Sequence, residues 1–519
     1  MKQLLCIVWL IVSSMTAVYS QKNPFPTDSL DRYIQKGMSD WQIPGLAIAI
    51  VKDGKIVFMK GYGVTAVGST KPINEHTIFQ IASQSKLFTA TDLCLLEEQK
   101  KISLTDPVQK YLPSFAMQDE GVSKLVSIHD LLSHRLGFKN YQGDFVFWDT
   151  DLSRQEVISS LRKLKAPYVF RQDFGYSNAA YVVASDIIPK VTGMSWERFT
   201  EKTLLEPLQL KETHMLSVGM DKLPDVAHPS TTCCSSDGKL VSLPFDNLDN
   251  LGPATGMISS CSDMAKWLMF QLDSGRVNGR QVVPYSVIEK TRTASTIASQ
   301  DRMTAFPLGF QFYCLGMGLI DYAGHSVFAH AGGSNGYRNN VTFVPAKNLG
   351  IVILTNQDNQ SFHDALRFQL LDAYLGVPYV NRSSYYLERA KKRDAKSQES
   401  IQLLAKRVNQ KTKNPIPLTA YVGTYRNELY GTLTISAPTP GSGQTGLTVR
   451  FEHHKELLGT LDFMDGHEFR LTLSNPRFGI FPVMFSDTNG AVSGLELKDT
   501  DFVDHEAYPF KKESVKQKG

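Results

Sequence analysis

The sequence predicts an α+β domain followed by a smaller all-β, barrel-like domain. Three observations carry this reading. Strand-like runs at 46–51 and 56–59 lie near the start, and others at 326–328, 340–343 and 350–354 lie further on. Between them, to about Leu251, the chain reads as mainly helical. From Leu418 to Phe510 short alternating runs are separated by turn residues such as Asp487-Thr488-Asn489-Gly490, the spacing of a small barrel or sandwich.

Residues 1–20 have the make-up of an export signal: Lys2, an apolar core at 4–12, and Val18-Tyr19-Ser20 before Gln21 as a cleavage site. That core is shorter than the roughly 20 residues a spanning helix needs, and no other stretch is long and apolar enough. An exported protein without a stable membrane span, periplasmic or extracellular, is expected. The 55 Lys+Arg against 51 Asp+Glu leave little net charge, and no basic patch interleaves with aromatics, which argues against nucleic-acid binding. Cys6 belongs to the signal. The remaining cysteines form no framework: Cys94 reads as a small buried hydrophobe, and Cys233-Cys234 can pair in an oxidising compartment. No C-x-x-C or H-E-x-x-H is present, so no metal is expected.

Residues 27–37 read as an amphipathic helix. Lys52-Asp53-Gly54-Lys55 then joins two β-rich runs as a hairpin. Gly61-Tyr62-Gly63 closes that hairpin and opens no helix, so it is not a dinucleotide loop. Residues 127–133 and 179–188 have helical character.

Three clusters bear chemistry. In Ser83-Gln84-Ser85-Lys86 a serine heads a helical stretch, and a lysine three residues on shares its face. Free backbone N–H groups at a helix start suit an oxyanion, and a neutral buried lysine can activate a serine. The plain alternative is an exposed helix start with a solvated lysine. In Tyr176-Ser177-Asn178 a phenol and a carboxamide lie on one side of a short extended loop. Tyrosine shuttles protons where cations lower its pKa, and Asn178 can hold a substrate carbonyl or orient Lys86; the alternative is a half-buried turn tyrosine. In His330-Ala331-Gly332-Gly333 a histidine precedes glycines that let a backbone or substrate approach a strand; the alternative is a structural histidine in a loop.

Taken together and in this order, Ser83-x-x-Lys86, Tyr176-x-Asn178 and His330-x-Gly332 resemble the serine β-lactamase and penicillin-binding-protein superfamily, in its class C-related, CubicO-type branch. Asp130-Leu131-Leu132-Ser133-His134-Arg135-Leu136-Gly137, Glu206-Pro207-Leu208 and Gly256-Met257-Ile258-Ser259-Ser260 support the likeness. It implies an antiparallel sheet flanked by helices, with N- and C-terminal strands paired, plus an all-helical subdomain and a groove between them. It also implies that Ser83 is the nucleophile, and that Lys86 and Tyr176 handle its proton in an order that is disputed. Asn178, His330 and Gly332 would bind substrate, and the backbone N–H groups of Ser83 and Gly333 would form the oxyanion hole. No cofactor is implied. Ala331 departs from the threonine of K-T-G, which puts penicillin turnover and carboxylate recognition in doubt; Arg338 reads as a surface residue, with supply of the missing charge as the alternative.

The expected organisation is a signal at 1–20, a β-lactamase-like domain at 21–383, a charged helical linker at 384–417, a barrel-like domain at 418–512 and a tail at 513–519. Tyr421-Val422-Gly423-Thr424-Tyr425 resembles the opening of the lipocalin-like domain attached to some CubicO-type peptidases. His453-His454 reads as a solvated strand edge. The expected activity is hydrolysis of a small peptide of D-amino-acid type, or of an ester, through an acyl-enzyme. A β-lactamase, a carboxylesterase and a catalytically idle binding relative are the alternatives, and oligomeric state is open.

Overall fold

The computed structural model describes residues 27–233, 238–299, 305–438, 446–498 and 504–514. The export signal expected at 1–20 and Cys234 lie outside the described residues. Among the described residues no helix is long and apolar enough to cross a membrane.

Helix α1 (Thr27–Asp40) leads into a hairpin of β1 (Gly45–Lys52) and β2 (Lys55–Gly63), turned at Asp53-Gly54 with both residues at positive φ. After the helical middle come β3 (Thr296–Ser299), β4 (Leu308–Tyr313), β5 (Gly318–Tyr322), β6 (His325–Ser334), β7 (Tyr337–Val344) and β8 (Leu349–Thr355). The eight strands form one antiparallel sheet in the order β2-β1-β8-β7-β6-β5-β4-β3. The N- and C-terminal parts of the domain are zipped together from Leu46↔Thr355 to Lys52↔Leu349.

β1 is buried on both faces, which explains its unbroken apolar run. Leu46, Ile48 and Ile50 share a core with Leu30 and Ile34 of α1 and with Phe362, Leu366 and Leu370 of α5 (Phe362–Leu375). Ala47, Ala49 and Val51 face the other core, which holds the helical subdomain. That subdomain includes α2 (Ser85–Glu98), α3 (Asn178–Thr192) and α4 (Cys261–Leu272). Cys94, Cys261 and Cys314 are buried free thiols, and Cys233 is disulfide-bonded.

α6 (Arg382–Asn409) is long and polar. Its first residue makes a buried pair with Asp372 at 2.6 Å, and near its far end Arg407 reaches Asp465 of the second domain at 2.7 Å. That domain is a closed barrel: β9 (Gly423–Asn427), β10 (Gly431–Ser436), β11 (Leu447–Phe451), β12 (Leu458–Asp465), β13 (Glu468–Leu473), β14 (Ile480–Thr488), β15 (Ala491–Lys498) and β16 (Ala507–Lys512), with β16 paired back on β9. Closure removes the edge strands that an open sheet would expose.

The barrel seats on the larger domain through Phe145, whose ring lies 4.6 Å from His454, 5.5 Å from Tyr430 and 5.5 Å from Phe478. The solvated edge expected at His453-His454 is corrected here. His454 is 4% exposed and stacks on Phe145, while His453 pairs with Asp151 at 2.8 Å. Alternation along the strand does not show that a second domain covers it.

Candidate active site

A short antiparallel pair, Ile78–Gln80 with Ile258–Ser260, delivers the chain to Ala82. Ala82 adopts φ 49, a left-handed conformation costly for a residue with a Cβ, and Ser83 follows in a one-turn 3-10 helix, Ala82–Gln84, that runs into α2. Ser85 braces this turn. Its hydroxyl donates to the Ala82 carbonyl at 2.6 Å and accepts from the Met257 N–H at 3.2 Å. Lys86 lies in the first turn of α2 and is fully buried, so the solvated-lysine alternative does not hold.

The Lys86 Nζ has three polar neighbours: Asn178 Oδ1 at 2.6 Å, the Ala254 carbonyl at 3.0 Å and Ser83 Oγ at 3.3 Å. It also lies 4.6 Å from the centre of the Tyr176 ring. Removal from water lowers its pKa well below the ordinary lysine value, opposed by the nearby Asp144 carboxyl.

Tyr176 is held in place by backbone. A Cβ on Gly175 would lie 1.8 Å from the Phe138 carbonyl, so only glycine permits this approach. The Tyr176 N–H donates to Asn140 Oδ1 at 2.8 Å, and its side chain lines the same cleft as Ser83. Burial raises its pKa well above that of a free phenol, so cations do not make it a phenolate. Asn178 does not continue an extended loop. It is the first residue of α3, whose N-terminus Ser177 caps by accepting from the Ala180 N–H at 3.3 Å. A capping serine between two functional side chains explains why the local pattern read as a turn.

On β6, Gly332 packs against the turn before the serine, where a Cβ would lie 2.1 Å from the Ile81 carbonyl. His330 is half-buried. Its Nδ1 meets the Ala331 carbonyl at 2.6 Å, so Nδ1 carries the proton and Nε2 accepts from the Tyr313 hydroxyl at 3.1 Å. Desolvation lowers its pKa and keeps it neutral. Gly333 lines the same cleft as Ser83, Tyr176, Asn178 and His330, a space of about 250 Å³. Arg338 lines it too and is only partly exposed, which corrects its reading as a surface residue. It stands opposite Gly333 on β7, and a Cβ on that glycine would lie 2.1 Å from its Nη1.

Of the residues singled out in the sequence, Ser83, Tyr176, Asn178, His330 and Gly333 line one cleft; Lys86 reaches it through Ser83, and Gly332 packs behind it against Ile81. Asp144, Tyr141, Trp148, Tyr313 and His134 also belong to the site or its lining and were not assigned a role from sequence. Asn178 Nδ2 donates to Asp144 Oδ2 at 2.6 Å, which extends the chain Ser83–Lys86–Asn178 by one carboxyl. Desolvation and the Asp504 carboxyl raise the Asp144 pKa. His134, inside the Ser133-His134-Arg135 stretch, accepts the Ser177 N–H on Nδ1 at 3.1 Å and lies beneath Tyr176 with ring centres 4.4 Å apart. No short motif surrounds Asp144. Among the described residues no cluster of side chains suits a metal ion.

Residues 30–375 match the family model for beta-lactamase. The chain belongs to the beta-lactamase family. Residues 407–512 match a second model, described only as a domain of unknown function, DUF3471. Unguisins hydrolase ungD of Aspergillus violaceofuscus is 25% identical over 460 residues, 82% of this chain and 80% of that protein. Protein flp of Staphylococcus aureus is 25% identical over 335 residues, 64% of this chain and 63% of that one. Among solved structures, that of the octameric penicillin-binding protein homologue from Pyrococcus abyssi superposes with a TM-score of 0.60 at 23% identity. It covers 93% of this chain and 99% of that chain. The fold is thus the β-lactamase and penicillin-binding-protein fold of serine hydrolases, carrying a closed C-terminal barrel.

Proposed function

We propose that the protein is an exported serine hydrolase that works through an acyl-enzyme on a small peptide of D-amino-acid type or an ester. One observation carries this. A neutral lysine amine has two N–H groups and one lone pair. The two acceptors that carry no proton, Asn178 Oδ1 at 2.6 Å and the Ala254 carbonyl at 3.0 Å, take the two N–H groups. The lone pair is then left for the third neighbour, Ser83 Oγ at 3.3 Å.

In this reading Ser83 attacks the substrate carbonyl as Lys86 takes its proton. The neutral Tyr176 phenol gives its proton to the leaving group and is reprotonated from Lys86, so the amine is free again when water releases the acyl group and the proton returns to Ser83. The backbone N–H groups of Ser83 and Gly333 hold the oxyanion; one donor of this kind is worth about 10²–10³ in rate. Asn178, the neutral His330 and Gly332 shape the substrate groove. The reaction draws on side chains and backbone alone. Export rests on residues 1–20.

A substrate panel tests the proposal: nitrocefin, a short-chain nitrophenyl ester and a D-alanyl amide, each with the wild type and Ser83→Ala. Turnover of the ester or amide that vanishes in Ser83→Ala is expected, with nitrocefin slow because Ala331 lacks a hydroxyl. Turnover that survives the substitution contradicts the mechanism. No turnover and no fluorophosphonate labelling indicates a binding relative instead.

A further inference from the structure

The segment that brings Asp144 and Trp148 into the cleft is a single helical turn, Asp144–Phe147, entered through Gly143 at φ 85 and flanked by Tyr141 and Asp149 at φ 60 and 54. Two left-handed residues with a Cβ, Tyr141 and Asp149, in so short a stretch need outside support. Much of it comes from the barrel. Asp504 Oδ2 accepts the Gly143 N–H at 2.9 Å and the Tyr508 hydroxyl at 2.8 Å, while its Oδ1 accepts the Glu506 N–H at 3.0 Å. Alongside, Lys139 pairs with Glu506 at 2.7 Å, and the Tyr141 ring lies 6.1 Å from that of His505.

We propose that Asp504, supplied by the barrel, is a positioning residue of the hydrolytic site: it anchors the Gly143–Phe147 turn and keeps Asp144 uncharged, so that Lys86 stays a free amine. The proposal rests on the acyl-enzyme reading above. Its physical basis is the order of donors. Asp504 receives three hydrogen bonds, which favour its ionised form. Asp144 receives one from Asn178, and its Oδ1 is buried without a partner. Two buried carboxyls that repel one another do not both ionise readily, and the one with more hydrogen-bond donors keeps the charge. Desolvation holds the Asp504 pKa at about 6, so it is charged at neutral pH. The groups around Asp144 are Lys86, Tyr141, Tyr176, Asp504 and, in the same cleft, Arg338; those around Lys86 are Asp144, His134, His330 and the Tyr176 and Tyr181 rings. Both histidines are neutral and the tyrosines are protonated, so Asp504 is the group among these whose charge bears on Asp144 across the domain boundary.

The sign follows. Without the Asp504 charge, Asp144 ionises more readily. An anionic Asp144 raises the Lys86 pKa, and a protonated lysine cannot accept the serine proton. In Asp504→Asn the acidic limb of kcat/KM should therefore move to higher pH by about one unit or more, with activity recovered in alkaline buffer. Tyr508→Phe, which removes one donor to Asp504, should move it the same way by less. Adding Asp144→Asn to Asp504→Asn should cancel the displacement, because the intermediary is gone.

A fall in activity at every pH with an unmoved limb would make Asp504 a structural clamp only and overturn the proposal. A displacement to lower pH, or one that survives in the double variant, would overturn it as well. Carboxyl carbon NMR of Asp144 reads the same effect without turnover: its titration midpoint should fall in Asp504→Asn, and an unchanged midpoint contradicts the idea. If wild type shows no Ser83-dependent hydrolysis while the Asp144 midpoint still falls, it is the hydrolase reading that fails, not the coupling.

Discussion

Lys86 shows how much of the site depends on keeping one amine dry. Burial makes the charged form unfavourable, and two carbonyl-type acceptors fix where its hydrogens point. Lys86→Met keeps much of the volume but removes the lone pair. Its kcat/KM should fall by about 10²–10⁴, the range for a lost general base, with no recovery at high pH. In the wild type the depressed Lys86 pKa means activity rises as pH climbs through it, read from a kcat/KM profile on an uncharged ester. Gly332 is the second residue-scale constraint. Its Cα hydrogen faces the Ile81 carbonyl, and a methyl there would lie 2.1 Å from that oxygen. Gly332→Ala should destabilise by about 1–3 kcal/mol and slow acylation as β6 moves off the serine turn, measured by urea unfolding and by stopped-flow labelling. The sequence showed the serine–lysine pair because i and i+3 share a helix face. It could not show that Gly332 is fitted to Ile81, since that contact joins segments far apart in the chain.

At the scale of elements, Asp130 ties the 127–135 segment to Arg171. Its carboxylate caps the helix Ile128–Leu132 in a box with Ser127 and pairs with Arg135 at 2.6 Å and Arg171 at 2.7 Å. Burial opposes its charge, but the hydrogen bonds from Arg171 and Ser127 and the charge of Arg135 outweigh it and hold its pKa below the ordinary value. Stability from this hub is present above about pH 3.9, the unfolded carboxylate pKa, and is lost as pH falls through the lower folded value. Asp130→Ala should cost about 2 kcal/mol at pH 7, less than a fully buried pair because both arginines stay partly in water. A denaturation series at pH 7 and pH 3 should show the gap between wild type and variant closing in acid. The helices here were readable from apolar spacing and caps. Asp144 was not, because its four-residue turn has no periodicity and its importance comes from Asn178 and Asp504, distant in sequence.

At the scale of the whole molecule, the barrel is more than an appendage. Closure of β16 on β9 encloses Tyr421, Tyr425, Phe469 and Phe485, which belong to one continuous buried cluster with the larger domain. Phe145 of the hydrolase domain is buried against barrel rings. Phe145→Ala should cost about 3–5 kcal/mol and loosen the turn that holds Asp144, read as lower kcat together with a lower unfolding midpoint. The alternating pattern announced a barrel, but alternation is blind to which outward face meets another domain, so His454 was misjudged as solvated. The account as a whole depends on Ser83 being acylated with help from Lys86. Intact-mass spectrometry of the protein mixed with a fluorophosphonate, followed by peptide mapping, tests it most directly. One adduct per chain on the peptide containing Ser83, formed at least about a hundredfold more slowly in Lys86→Met, is the expected result; an adduct on another residue, or equal rates in the two proteins, would contradict it.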